Sequence, residues 1–143
     1  MADASDTVLI RQARGKFAAM AASYFLGTFN DNFYKQAVML LALAAGRERF
    51  QGAAGIAFTV PFLVFAAPAG WAADRFPKRT VVIGAKALEV AAALVGALGI
   101  ILGDLWLMVG MVALMGTQAA FFSPALNGSI PELYPAGYVT RAN

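Results

Sequence analysis

Apolar residues run in long blocks separated by short polar clusters, and these blocks set the expected elements. No charged residue occurs from 50 to 73 or from 105 to 131; each stretch exceeds the roughly 20 residues that carry a helix across a hydrocarbon core. Together with two less uniform blocks they predict spans at about 17–45, 52–73, 80–102 and 105–122. The runs Leu40 to Ala45, Val60 to Ala67 and Ala91 to Leu98 are apolar on every side. A transmembrane barrel, whose strands alternate with period two, does not fit them, whereas a helix satisfies its own backbone groups in lipid. The connections Gly46-Arg47-Glu48-Arg49, Asp74 to Arg79 and Gly103-Asp104 are short, so neighbouring helices should be antiparallel. Asp104 is placed to cap the fourth helix. The expected fold class is all-α, a polytopic helical membrane protein with four transmembrane helices. Residues 1–16 read as a mobile cytoplasmic tail and 123–143 as a cytoplasmic segment leading to a fifth span.

Composition agrees with that pattern. Of 143 residues, 60% are hydrophobic and 13% charged, against about 45–50% and 25% in soluble domains. Lysine and arginine sort by side: Arg11, Arg14, Lys16, Arg75, Lys78, Arg79 and Arg141 flank one set of span ends, and Arg47 and Arg49 the other. The positive-inside rule then places both termini and the Asp74–Arg79 connection in the cytoplasm. The net charge of +3 is mostly topology and contact with lipid headgroups. No basic stripe interleaved with aromatics points to nucleic acid. Ala19-Met20-Ala21 mimics a signal-peptide cleavage triplet, but only Phe17 and Ala18 separate it from Lys16, leaving no apolar region before it.

The absence of histidine and cysteine excludes Ser-His, Cys-His and zinc-His chemistry from these residues. Neither a glycine-rich phosphate loop nor a His-x-x-x-x-Asp acyltransferase box occurs. The chain is therefore expected to be no enzyme, with no metal or cofactor.

The remaining polar residues carry the functional signal. Asn30-Asp31-Asn32 lie near the middle of the first span, roughly 21 Å from its start at ~1.5 Å per residue. A charge at that depth costs about 2.5–3.5 kcal/mol on insertion scales, so such residues face a bundle interior or a cavity. Lys35 follows Asp31 by one helical turn, with Tyr24 and Thr28 on the same stripe. Either Asp31 and Lys35 neutralise each other and hold the bundle together, or they form a headgroup or coupling-ion site. Asparagine on both sides of the carboxylate favours the site. On the third span Lys86 and Glu89 pose the same choice; Lys86 is close enough to the cytoplasmic end to snorkel, and Glu89 is deeper. Gln118 on the fourth span offers an interhelical hydrogen bond. Ala92-x-x-x-Gly96 and Gly99-x-x-x-Gly103 are spaced for close helix packing, and Pro61 and Pro68 permit a bend in the second helix.

Gly70-Trp71-Ala72-Ala73-Asp74-Arg75-Phe76-Pro77-Lys78-Arg79 resembles the signature loop of the major facilitator superfamily, G-x-x-x-D-R-x-G-R-[RK], in spacing and position. Gly70, Asp74, Arg75, Lys78 and Arg79 match; Pro77 departs, standing where the family has glycine. Glycine at 70 would allow close helix contact, Asp74 would face a helix N-terminus, and the basic residues would meet the cytoplasmic interface and anionic lipid. Phe25 to Lys35, Met115 to Pro124, Ile130 to Pro135 and Thr140-Arg141-Ala142-Asn143 resemble the lysophospholipid transporter branch of that superfamily, which includes fusions to acyltransferase and acyl-carrier-protein synthetase domains.

The resemblance implies that the chain holds the first four transmembrane helices of a twelve-helix fold, a truncation inactive by itself. It implies that Asp31, flanked by Asn30 and Asn32, belongs to the translocation path and that Asp74, Arg75 and Arg79 form the cytoplasmic gate; by their positions Lys35, Lys86, Glu89 and Gln118 are further candidates for the path, and Gly70 and Lys78 for the gate. The expected function is movement of lysophospholipid, above all lysophosphatidylethanolamine, toward the cytoplasmic leaflet for re-acylation. Its partners would be membrane lipids, the substrate, the remaining helices of the parent transporter and any fused acyltransferase or synthetase domain. Two other readings are a proton-coupled exporter of small amphipathic compounds, with Asp31 or Glu89 as proton site, and a membrane anchor for fused enzymes. Many proton-coupled drug antiporters carry arginine where this chain has Val112, which weighs against drug efflux.

Overall fold

A computed structural model describes residues 4–128, which form four helices: α1 (Ala4–Ala44), α2 (Arg49–Arg75), α3 (Lys78–Leu102) and α4 (Leu105–Asn127). No strand occurs among the described residues. The helix α1 reaches back to Ala4, through the segment expected to be a tail. Nothing in residues 4–16 stops a helix: proline is absent, and Gly15 costs only about 1 kcal/mol relative to alanine. Three elements, α2, α3 and residues 105–125 of α4, are long and apolar enough to cross a membrane, with mean hydropathy 1.7, 2.0 and 1.7. The central polar cluster of α1 keeps it from qualifying by composition, although it packs on α2 and α4 as part of the same bundle.

The turns follow from local chemistry. Between α2 and α3 the non-helical backbone shrinks to Phe76 and Pro77. Proline forces the residue before it out of the helical region, and Phe76 is extended at φ −107°, ψ 155°. Asp74 and Arg75 therefore occupy the last turn of α2, and Lys78 and Arg79 the first turn of α3, instead of a longer loop. Gly103 closes α3 in the left-handed region, φ 65°, and its N–H bonds the carbonyls of Gly99 and Ile100. Asp104 caps α4 as expected: its Oδ1 accepts from the N–H groups of Trp106 at 2.8 Å and Leu107 at 3.3 Å.

The helix α4 is the hub, packed against both α2 and α3, while α2 and α3 barely touch. Met108, Met111, Val112 and Met115 of α4 form a buried core with Val38 and Ala42 of α1, Phe50 and Ala54 of α2, and Ala92 of α3. The small-residue stripe on α3 works as expected at its first three positions, since Ala92, Gly96 and Gly99 are buried. A Cβ on Gly96 would strike Met111, and one on Gly99 would meet Leu107 and Met108 at 3.1 Å. Gly103 contributes a cap instead of a contact. At Gly116 the neighbour is main chain: a Cβ there would run into the carbonyl of Phe58, so α2 and α4 touch backbone to backbone. Pro61 and Pro68 lie within one continuous helix, α2. Large apolar side chains stay exposed on the other faces, including Phe25, Phe29 and Phe33 of α1, which stack along the helix at 6.4 and 6.2 Å.

Candidate functional site

The helical period places Tyr24, Thr28 and Asp31 on one face of α1, and all three line a cavity of about 250 Å³. Phe58 and Phe62 of α2 and Gln118, Ala119, Phe122 and Ser123 of α4 form the rest of its wall, with Gly27 and Asn32 of α1. Polar residues of α1 and α4 thus face a chamber that α2 closes with two aromatic rings. Asp31 is 6% exposed and Gln118 1%. Their side chains meet: the Gln118 Nε2 donates to both carboxylate oxygens of Asp31, at 3.2 Å each.

Of the two readings of Asp31 and Lys35, mutual neutralisation is not the arrangement seen. Lys35 donates to the Oδ1 of Asn32 at 3.0 Å and lies 5.0 Å from the centre of the Phe58 ring. Asn32 in turn donates to the Thr28 carbonyl at 2.9 Å. The four-residue spacing puts Asp31 and Lys35 on one face, but the carboxylate points inward to α4, and the long lysine stem carries its ammonium to an aromatic face.

Lys86 and Glu89 do pair, at 2.6 Å. Asn30 completes that cluster from α1, donating to the Glu89 Oε1 at 3.2 Å. The Lys86 ammonium also stands 4.5 Å from the Phe122 ring centre. Room for it depends on Gly27, where a Cβ would lie 3.0 Å from its Nζ. Instead of snorkelling to headgroups, Lys86 turns inward. Of the seven residues expected on the path, all are tied into this layer. Asp31 and Gln118 form one centre, Asn30, Lys86 and Glu89 a second, and Asn32 with Lys35 a third at the cavity edge.

Phe58, Phe122 and Gly27 were not marked by sequence reasoning. Aromatics in an apolar run look alike whether they face lipid or a lysine, and the only cue at Gly27 was a small residue one turn before the polar cluster.

At the other end of α2, Asp74, Lys78 and Arg79 line a cleft of about 440 Å³ with Ala73, Phe76 and Pro77. The Lys78 Nζ donates to the Gly128 carbonyl at 2.7 Å, joining the start of α3 to the end of α4. Arg75 is exposed in the last turn of α2, where its charge suits the helix dipole. Gly70 does not serve the expected close contact within these helices: a Cβ there would meet nothing within 4 Å.

Residues 51–143 match the transmembrane secretion effector family, a major facilitator family. The chain belongs to the major facilitator superfamily. The likeness of this major facilitator chain to the lysophospholipid branch runs along nearly all of the given sequence: the lysophospholipid transporter LplT of Photorhabdus laumondii is 33% identical across 99% of the chain and 34% of that protein. An uncharacterised major-facilitator-type transporter of Bacillus subtilis, YfiS, is 26% identical across 61% of the chain and 20% of its own length. The chain spans about a third of the first relative and a fifth of the second. No solved structure matches. Val112, at the position where many antiporters carry arginine, is 1% exposed and part of the methionine-rich core.

Proposed function

We propose that the parent protein of this major facilitator chain is a secondary transporter of lysophospholipid, lysophosphatidylethanolamine foremost, across the bacterial inner membrane toward the cytoplasmic leaflet. The observation that carries the reading is the buried Asp31 in an aromatic-walled cavity, with Gln118 as its hydrogen-bond partner. A zwitterionic headgroup requires an acidic partner for its ammonium and basic or amide partners for its phosphate. Asp31 supplies the first, and Lys35, Asn32 and Gln118 the second, while Phe58, Phe62 and Phe122 accept apolar groups. The likeness to a lysophospholipid transporter adds weight. Asp74, Arg75, Lys78 and Arg79 serve as the cytoplasmic gate, with both chain ends on that side. Transport follows by rocking helical bundles about a midplane site, and a joined acyltransferase or synthetase domain would re-acylate the delivered lipid.

The test is uptake of labelled lysophosphatidylethanolamine by vesicles holding the full-length protein. Asp31→Asn keeps the shape of the side chain and removes its charge, and should lower uptake by more than about tenfold, the equivalent of ~1.4 kcal/mol. Unchanged uptake removes Asp31 from the mechanism. The family description names secretion, which favours a second reading: export of a small amphipathic compound. Protection of cells against a drug panel, with pH-dependent efflux and no lysolipid movement, selects it.

A further inference from the structure

The turn between α1 and α2 carries a further cleft, at the end of the bundle opposite the Asp74–Arg79 turn. Its volume is about 320 Å³, and Arg47, Arg49, Phe50 and Ala53 line it together with Trp106 of α4. The 27 residues of α2 set the two ends roughly 40 Å apart at ~1.5 Å per residue. The chamber of Asp31 is a different space. Its first α2 wall residue, Phe58, lies about 12 Å along the helix from Phe50, and the methionine-rich core packs around Phe50 and Ala54 between them.

Local structure fixes each wall. Gly46 takes φ 67°, and the N–H groups of Gly46 and Arg47 donate to the carbonyls of Leu43 and Ala42 at 2.9 Å each. This left-handed closure of α1 sets Arg47 in the turn, and Arg49 opens α2 two residues later. Trp106 is placed from the other side. Asp104 holds its backbone N–H at 2.8 Å, and its ring meets the Phe50 ring edge-on, centroids 4.9 Å apart. Phe50 is buried and Trp106 is 69% exposed, so the indole is anchored on one face and open on the other.

The cleft is polarised along the membrane normal. Arg47 and Arg49 are exposed, and neither forms an ion pair among the described residues. The acids at this end stand elsewhere: Asp104 caps α4, and Glu48 is not part of the cleft wall. No charge follows from Phe50 to Ala73, so Phe50 and Ala53 mark the start of the apolar span and the guanidinium groups stand at headgroup level. Tryptophan belongs at that boundary, its ring in the apolar layer and its N–H toward polar groups. The indole N–H has no acceptor among the described residues. The lysine and arginine bias that orients the chain gathers at the other end, so topology does not account for two arginines here.

A guanidinium is a planar fork that offers two parallel N–H groups to the oxygens of a phosphate. Two such forks and an indole N–H above an apolar wall match a phosphodiester whose hydrocarbon runs down into the membrane. The wall holds no carboxylate, so a headgroup ammonium finds no partner in it. We propose that Arg47, Arg49 and Trp106 form a binding site for a phospholipid headgroup of net negative charge, with the phosphodiester on the guanidinium groups and the hydrocarbon against Trp106, Phe50 and Ala53. A two-chain lipid of the surrounding leaflet and a single-chain lipid bound for the chamber both present this group. The site rests on the cleft and not on the proposed function.

The experiment is fluorescence quenching of the full-length protein in phosphatidylcholine vesicles that contain brominated lipids, the Trp106 signal being the difference between each protein and its Trp106→Phe counterpart. Brominated phosphatidylglycerol should bind beside Trp106 at least about tenfold more tightly than brominated phosphatidylethanolamine. Arg47→Gln with Arg49→Gln should bring the two lipids within about twofold of each other, and both arginines are exposed, so the exchange does not put folding at stake. Glu48→Gln raises the charge of the turn by one without touching the wall and should leave the preference within about twofold. Equal binding of the two headgroups in the wild type, a preference that survives the double exchange, or an equally large change in Glu48→Gln overturns the proposal. Single-chain brominated phosphatidylglycerol identifies the source. A preference shared by both forms upholds a site for leaflet lipid in general, and one confined to the single-chain form upholds a site for the transported class. Uptake of lysophosphatidylethanolamine is read separately, so the failure of this site and of the proposed function are distinguishable.

Discussion

Asp31 and Glu89 are two carboxylates of one polar layer, and the fold treats them differently. Glu89 has its counter-ion one helical turn away on the same helix, Lys86 at 2.6 Å, and a further hydrogen bond from Asn30. Among the described residues Asp31 has an amide as its hydrogen-bond partner, from Gln118, 87 positions on in sequence. Glu89 is the more exposed, its side chain at 16%, while the whole of Asp31 is at 6%. Local pairing makes Glu89 electrically quiet, a charge that ties α3 to α1. Asp31, by contrast, meets no lysine at bonding distance among the described residues. Depth in the membrane alone therefore does not separate the two carboxylates; the presence or absence of a local counter-charge does.

The comparison breaks most severely if the two acids prove equivalent in transport. Asp31→Asn should lower uptake more than about tenfold, and Glu89→Gln should stay within that ~1.4 kcal/mol margin; equal losses would show that one charged layer acts as a unit. Next in size is Gly116→Ala. Its added methyl meets the Phe58 backbone, which cannot yield as a side chain would, and overpacking of this kind costs about 2–3 kcal/mol. Thermal unfolding of the full-length protein should register that loss, and the Asp31–Gln118 contact two residues on should suffer while Lys86–Glu89 is spared.

Lys86→Ala leaves Glu89 with Asn30 alone and should cost about 1–2 kcal/mol of stability. The double exchange Lys86→Glu with Glu89→Lys should regain most of it; if it regains nothing, the pair is not held by its charges. Smallest is Asp104→Ala, which removes the α4 cap for about 1 kcal/mol. It should lower the unfolding temperature without altering uptake relative to the amount of folded protein.

Much of this layer was legible in the sequence because charges stand out in apolar runs. Asn30, Asp31, Lys35, Lys86, Glu89 and Gln118 were all found that way. Their partners were less accessible. Lys86 with Glu89 followed from a spacing of three, but the bonds from Asn30 to Glu89 and from Gln118 to Asp31 join residues 59 and 87 apart, and no helical period reports on that. Spacing suggested Asp31 with Lys35 because it fixes a common face and says nothing about where a four-carbon stem ends. Turn chemistry was read well at Asp104, whose short side chain has little choice, and only in part at 74–79. There Pro77 tightens the connection so far that the expected loop residues become helix ends. Glycines misled in both directions: Gly70 was expected to pack and meets no neighbour, whereas Gly116, outside the small-residue stripes read from spacing, makes the tightest contact with α2.

That contact has a mechanical meaning. With no side chain between the Phe58 carbonyl and Gly116, α2 and α4 cannot slide or pivot on each other without steric collision or loss of packing. They should travel as one beam, carrying Phe58 and Gln118 at a fixed separation. An opening of the chamber within these four helices would then come from α1 swinging away from that beam, with Asp31 moving and Gln118 fixed to α2.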